Sequence, residues 1–494
     1  MSEPVTEGQG PSAAPEDEGE RARQRHEAQA AGEAPAAQDR PAADRRRVRP
    51  AGARSDRRAV AVMTIAHGIQ HFYVAGLAIT YPFVVAEFHA SYAVLGLWLS
   101  AAGVLGGLLQ AAAGLLRRAS ARTVLAVQDL AMGGASVLGA VAGAFPVFGL
   151  ARVLGSAVSW PQHPVGSAYL AERFPKRRAT VLSWHTAGGS LGTAAVPLLM
   201  SAVLAAAGWR WALVALGAAL AAGGLLIRLA LPPERGAAGD APGRGTAGPD
   251  LGMAVPERRT AGPAVARAAP AGASGRAWSW RPARRRGAPE GPARAGGLWR
   301  QLRRREVAAV LAAGTIAAGG RGLGTLSTYI PAYLRSGLRL PTLTVGVLVT
   351  IVLAASIAGP VFGGVLADRF GRARTLIVTY VAAAGVLAAF GYAGRGVVVL
   401  ALLGVAVGVL GYAESPLLQA VFSDLLGGAA RGAFGVFFAI SYGVGSLWTA
   451  VIGWVITAAG FATAFAVMAG SFVAAALIIA LAIPRRRRGA AHGA

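Results

Sequence analysis

The sequence predicts an all-α membrane protein with twelve transmembrane helices in two pseudo-symmetric six-helix bundles. Three observations carry this reading. Hydrophobic residues make up 54% of the 494, charged residues 14%, and the mean hydropathy is +0.49, a mix too apolar for a water-soluble chain of this length. The acids are unevenly spread. Of 23, eleven lie in residues 1–58 and five in 232–305, which leaves seven (Glu87, Asp129, Glu172, Glu306, Asp368, Glu414, Asp424) for the roughly 350 residues of 59–231 and 306–484. A water-facing surface of that area needs far more charge, so its solvent is lipid. Finally, apolar runs of roughly 20–28 residues recur in two sets of six, each long enough to cross a hydrocarbon core of about 30 Å at about 1.5 Å per residue.

Taken in order, residues 1–58 are rich in Ala, Pro, Glu and Arg without apolar periodicity and read as a disordered cytoplasmic tail. Six spans follow at 59–86, 92–116, 122–143, 145–170, 179–207 and 209–231, making a first bundle over 59–231. Residues 232–305 turn to Gly, Pro, Ala and fifteen Arg, a cytoplasmic linker. The second bundle, 306–484, holds spans at 306–334, 342–366, 374–394, 397–422, 432–459 and 461–484, and 485–494 is a short basic cytoplasmic tail. Pro161, Pro164 and Pro416 are expected to kink the fourth and tenth spans.

The basic residues orient the chain. With the N-terminus inside, the short inner loops carry Arg117, Arg118, Arg122, Arg173, Lys176, Arg177, Arg178, Arg369, Arg372, Arg374 and Arg431, whereas the outer loops carry only Arg210, Arg335, Arg339 and Arg395. The positive-inside rule then places both termini in the cytoplasm and the chain in the cell membrane as a multi-pass protein. The same rule accounts for a net charge of +25 without nucleic acid. With no cysteine, disulfides, thiolate metal sites and iron–sulfur ligation are excluded. The single lysine, Lys176, has no glycine pattern before it, so no Walker A loop is present. Gly188–Gly192 fits the esterase pattern G-x-S-x-G but lies inside a long apolar helix, where glycine spacing means close helix packing. The chain is not read as an enzyme.

The two halves repeat at an offset of about 250. The stretch from Gly114 to Arg122 matches Gly364 to Arg372, and Pro164, Glu172, Arg178 and Gly192 fall opposite Pro416, Asp424, Arg431 and Gly445. The loop Gly364-Val365-Leu366-Ala367-Asp368-Arg369-Phe370-Gly371-Arg372 resembles the signature between the second and third helices of each half in the major facilitator superfamily. His67 to Pro82, Arg152-Val153-Leu154-Gly155, His163-Pro164, Gly188 to Gly192 before Pro197, and Tyr329 to Leu334 resemble the fosmidomycin-resistance type of exporter within it. The resemblance implies that Asp368 pairs with basic neighbours and a helix N-terminus to hold a cytoplasmic gate, with Arg369, Arg372, Glu172, Arg178, Asp424 and Arg431 as its other charges. In the first half Arg118 stands where the aspartate belongs, so that gate is expected to be built differently. The resemblance also implies that the first, fourth, seventh and tenth helices line a central cavity.

Strongly polar groups inside spans are costly and therefore functional candidates. They fall mostly on that set: His67, Gln70 and His71 on the first span, Arg152, Gln162 and His163 on the fourth, Arg321, Thr325, Thr328 and Tyr329 on the seventh, and Tyr412, Glu414 and Gln419 on the tenth. Glu414 is the deep acid of the second half, read either as a proton-coupling carboxylate or as a static ion-pair partner of Arg321. His67 and His71, one turn apart, suit proton carriage, substrate hydrogen bonding, packing between helices or, least favoured, metal ligation with His163 and His185. Arg152 suits an anionic substrate or a carbonyl end, and Asp129 is as readily structural as functional.

The expected function is secondary transport of a small organic solute by alternating access, as a proton-coupled exporter of an amphipathic, drug-like compound. An uptake carrier for an organic anion, countered by Arg152 and Arg321, and a non-transporting membrane sensor or scaffold are the alternatives. The proton is the expected coupling ion, no cofactor or metal is expected, and the chain is expected to act as a monomer in the bilayer.

Overall fold

A computed structural model describes residues 51–111, 119–234, 300–426 and 430–483, without the side chains of 51–53, 110, 111 and 430–432. Residues 1–50, most of the linker, Arg117, Arg118 and the last tail lie outside the described residues, whereas 51–58, expected to belong to a disordered tail, form the first turns of a helix that runs on to Glu87. The described helices from Gly52 onward pack together within one compact unit.

Each expected span is mainly helical where described. The first half runs α1 (Ala51–Glu87), α2 (Tyr92–Ala111), α3 (Ala121–Ala140), α4 (Phe145–Ser159), α5 (Gln162–Arg173) and α6 (Arg178–Ala230). The second runs α7 (Arg305–Ala317), α8 (Ser327–Ala332), α9 (Thr342–Ala355), α10 (Ala358–Phe370), α11 (Arg372–Tyr392), α12 (Val397–Leu426), α13 (Ala430–Phe438) and α14 (Trp448–Ala482). Among the described residues nine helical stretches are long and apolar enough to cross a bilayer. Two of these, the ones containing α6 and α14, each hold two expected spans. Their chain reverses at Gly208 (φ 83°, ψ 174°) and Gly460 (φ 82°, ψ 173°), a positive-φ conformation that glycine adopts without steric penalty. Val196, Met200 and Leu216 all lie close to Gly76, and Trp448 and Ser471 both lie close to Gly319, so the chain folds back at each reversal. His89 and Arg339, the non-glycine residues with positive φ among the described residues, lie 250 positions apart. The repeat inferred from the sequence thus extends to backbone conformation.

Other spans depart from a simple rod. The fourth is broken at Trp160–Pro161 between α4 and α5, where two prolines three residues apart remove two backbone donors. Pro416, also expected to kink its span, stays inside the continuous helix α12. The seventh span, expected to be one helix, is interrupted after Ala317. Leu323 (φ −80°, ψ 115°) and Gly324 (φ 118°, ψ −96°) leave helical geometry before α8 begins, in the glycine-rich run Gly319-Gly320-Arg321-Gly322-Leu323-Gly324. The eleventh is likewise remodelled over Ala439–Leu447 between α13 and α14.

Helices from the two halves meet along two seams: α2 packs on α14, and α6 packs on α9. Contacts across the halves run from mid-span, where Ser100 Oγ donates to the Ser446 carbonyl at 2.8 Å and accepts from the Ala450 amide at 2.9 Å, to the end carrying residues 83–93. There the Tyr92 hydroxyl donates to Ser336 Oγ at 2.8 Å, the Ala93 amide donates to Thr457 Oγ1 at 3.0 Å, and Arg335 stacks on Phe83. At the opposite end the ion pairs Arg173–Asp56 and Arg372–Asp424 each stay within a half. A small apolar cluster around Met63, Leu125, Leu170 and Ile227 also belongs to the first half alone. Large apolar side chains such as Leu191, Val398 and Leu481 are exposed around the outside, as a lipid-facing belt requires.

Candidate functional site

A cavity of about 230 Å³ lies between the halves, lined by Val74 and Tyr81 of α1, Leu99 of α2, Arg152 and Ser156 of α4, the interrupted seventh span from Ala318 to Thr328, and Tyr442 to Thr449. The eleventh span therefore supplies a wall that the sequence reading gave to the tenth. Hydroxyls are plentiful: Ser156, Thr325, Ser327, Thr328, Ser446, Thr449, Tyr81 and Tyr442. Two guanidiniums, Arg152 and Arg321, are present, and no carboxylate is among the lining residues.

Arg321 sits within the break in the seventh span, in extended conformation (φ −67°, ψ 137°) directly before Gly322. Its Nε donates to Glu414 Oε1 at 2.7 Å, Nη1 to the Ser441 carbonyl at 2.7 Å and Nη2 to the Gly314 carbonyl at 2.6 Å. The guanidinium also lies over the Tyr442 ring, 4.3 Å from its centroid. Tyr380 donates to Glu414 Oε2 at 3.3 Å. Tyr442 is tied to Ser415, and Gln419 donates to Ser415 Oγ at 3.2 Å. Glu414 thus reaches the cavity only through Arg321. Tyr380, Ser441 and Tyr442 were not singled out from sequence, although tyrosines on otherwise apolar spans are a usable signal.

Arg152 is in a different condition. Its guanidinium rests 4.9 Å from the Tyr73 ring centroid, and its Nε and Nη1 find no hydrogen-bond partner among the described residues. Buried N–H groups of a cation left without acceptors are expensive, and they adjoin the cavity.

The histidines form a second cluster away from the cavity lining. His67 Nδ1 meets the His185 carbonyl at 2.7 Å, His71 Nδ1 meets Thr193 Oγ1 at 2.8 Å, and the two Nε2 atoms face each other at 3.1 Å. His185 stacks on His67 with centroids 3.9 Å apart, and the His163 ring centroid is 5.2 Å from that of His67. Gln162 turns from its neighbour His163 to Gln128, which bridges it to buried Asp129. Gln70 is buried near the cluster on α1. Tyr329 is fully buried and donates to the Thr449 carbonyl at 2.5 Å, while Tyr412 packs its ring on Gly322. Both support the walls and do not line the cavity.

The Major Facilitator Superfamily model matches residues 63–447 and 342–493. The chain belongs to this superfamily. The fold is shared with the solved nucleoside transporter NupG (TM-score 0.65, 14% identity, 86% of this chain and 98% of that one). It is shared also with a bacterial homolog of the human lysosomal transporter Spinster in an inward-facing, unoccupied conformation (0.57, 14%, 87% and 95%), and with the D-xylose-proton symporter (0.58, 16%, 86% and 98%). No curated protein matches the chain. A transporter, not an enzyme, is what this family and these folds indicate.

In this superfamily member the signature loop differs from the expected pairing. Asp368 is exposed in the last turn of α10 and forms no ion pair among the described residues. Gly371 (φ 93°) turns the chain sharply, α11 starts at Arg372, and Arg372 pairs instead with Asp424 at the end of α12. Arg369 lies beside Phe370, Gly364 is exposed, and Glu172 and Arg178 are exposed outside any ion pair among the described residues. The Arg431 side chain lies outside the described residues. In the first half the buried cation at this end is Arg173, which the sequence reading counted only as loop charge. It binds Asp56, Ser55 and the Pro233 carbonyl.

Proposed function

We propose that this transporter is a secondary carrier of a small organic anion that works by alternating access, with Arg152 as counter-charge for the solute and Glu414–Arg321 as a proton-linked latch. The observation that carries the proposal is the lining of the central cavity: two guanidiniums and a ring of hydroxyls without a carboxylate. That lining suits a carboxylate- or phosphate-bearing solute better than the uncharged amphipathic compound favoured by composition, because Arg offers a planar fork of donors to such groups.

The latch follows from charge arithmetic. Arg321 lines the cavity, but its charge is offset by Glu414 and its guanidinium is engaged by two carbonyls. A proton on Glu414 removes the opposing charge, leaves the guanidinium uncompensated at the cavity wall and gives the solute a second counter-ion. Closure at the end bearing Tyr92 and Ser336 supports an inward-open stage of the cycle. The distribution of basic loops supports a cytoplasmic position for both termini, and a cavity built within one chain makes a monomer sufficient.

Ligand-dependent thermal stabilisation of the purified carrier, measured against organic anions, cations and neutral solutes at two pH values, tests the substrate class. Anions should raise the melting temperature selectively. Stabilisation by neutral amphipathic solutes alone would overturn it.

A further inference from the structure

We propose that His67, His71 and His163 form a binding site for a divalent first-row transition ion, with zinc as the representative, independent of the central cavity. Ligand nitrogens of these three residues all lie within 4.8 Å of one another. A tetrahedral ion about 2.0–2.1 Å from each imidazole nitrogen needs those nitrogens about 3.3–3.4 Å apart. The His67 and His71 Nε2 atoms are already at 3.1 Å, and His163, exposed on α5, needs a side-chain rotation to close on them.

The hydrogen bonds decide which nitrogens are available. The His185 carbonyl can only accept, so His67 Nδ1 carries the proton of that bond. Thr193 Oγ1 donates its own proton to the Gly189 carbonyl at 2.9 Å, so toward His71 Nδ1 it accepts. In the neutral tautomers both Nε2 atoms therefore present bare lone pairs to each other. Two lone pairs at hydrogen-bond distance repel unless a cation stands between them. The outward anchoring of each Nδ1–H on an oxygen is also the pattern that orients histidine ligands on metals. His185 repeats it, with Nδ1 on the Met63 carbonyl at 3.2 Å and a buried Nε2 without partner among the described residues. A proton shared by the pair needs only two imidazoles. Convergence of a third nitrogen on the same point favours a metal, and neutral imidazole donors suit zinc, copper and nickel.

The placement gives such an ion a mechanical role. His67 and His71 are a turn apart on α1, and His163 is in the first turn of α5, next to the break at Trp160–Pro161. The ion ties α5 to α1 across that break and leaves a fourth coordination position open on the exposed side.

The test uses the full chain, purified, freed of any polyhistidine tag, stripped with chelator and re-equilibrated with Zn²⁺. Elemental analysis should find one zinc per chain, and Co²⁺ substitution should give the visible absorption of a tetrahedral site. His71→Gln should weaken binding at least 100-fold and His163→Gln at least tenfold, while His89→Gln, outside the cluster, leaves it unchanged. Because His163 is exposed, its variant keeps the fold, which a monodisperse gel-filtration profile checks. Failure of the folded wild-type chain to take up zinc, as when the pair merely shares a proton, overturns the proposal. So does zinc binding that survives the His71→Gln/His163→Gln double change.

Discussion

The Arg321 guanidinium and the Glu414 carboxylate meet at 2.7 Å in a place where they are only 4% and 0% exposed. A pair this deep is either a packing element or a working part, and the two roles separate on mutation. Removing one partner leaves a buried charge and costs about 3–5 kcal/mol, whereas replacing both with apolar residues of similar size is often neutral. Glu414→Ala should therefore lower the melting temperature sharply, and Arg321→Met with Glu414→Leu should restore it. If the pair is a latch, the restored variant still lacks proton-driven transport in proteoliposomes. Transport returning together with stability would reduce the pair to packing.

Glu414→Gln keeps the shape and removes the carboxylate. Uptake driven by an imposed pH gradient should vanish in this variant, while solute exchange at equal pH on both sides continues. Equal sensitivity of both modes, with normal expression, would count against proton coupling at this residue.

Arg152→Ala should weaken an anionic solute by about 10- to 150-fold, which corresponds to about 1.5–3 kcal/mol for charge-assisted hydrogen bonds. Two of its nitrogens have no hydrogen-bond partner among the described residues, so the stability lost should be mainly that of the cation–π contact with Tyr73, about 0.5–2 kcal/mol. Competition assays with paired charged and neutral analogues read this out, since only the charged member should lose affinity.

Much of this architecture was legible in the sequence because lipid imposes a simple rule: long apolar runs become helices, and scarce polar groups mark working parts. Arg321 and Glu414 were recognisable as partners for that reason, as were the histidines of α1. The break at Gly324 was harder to read, because glycine runs inside spans also serve close packing and only tertiary contacts choose between the two. The wall supplied by Tyr442 was missed because the eleventh span changes to π and then 3₁₀ geometry over Ala439–Leu447, and periodicity assumes a regular α-helix. Pairing of Arg372 with Asp424 instead of Asp368 depends on the turn angle at Gly371, which composition does not encode.

The Ala93 amide and the Thr457 hydroxyl bridge the halves at 3.0 Å, and the natural chain contains no cysteine. An Ala93→Cys/Thr457→Cys pair should form a disulfide under mild oxidation, block transport and release it on reduction. Cross-linking with undiminished turnover would mean that these ends do not separate in the cycle.

The first helix and α6 approach so closely that a Cβ at Gly192 would stand 2.1 Å from the Gly68 carbonyl oxygen. Gly192→Val should destabilise the first half by about 1–3 kcal/mol or more, visible as aggregation or a lowered melting temperature. Gly134→Ala, where nothing lies within 4 Å of the new atom, should behave as wild type.

The reversals at Gly208 and Gly460 leave no slack between the arms they join. Each arm that forms a seam with the opposite half is thereby yoked to its neighbour like the tines of a tuning fork. A tilt at either seam must carry both tines along, so bending within a half has to be absorbed where helices are already interrupted, at Trp160–Pro161, Gly324 and Ala439–Leu447. Those three joints are the natural places for spectroscopic distance reporters. A tag inserted at either fork would prise the tines apart.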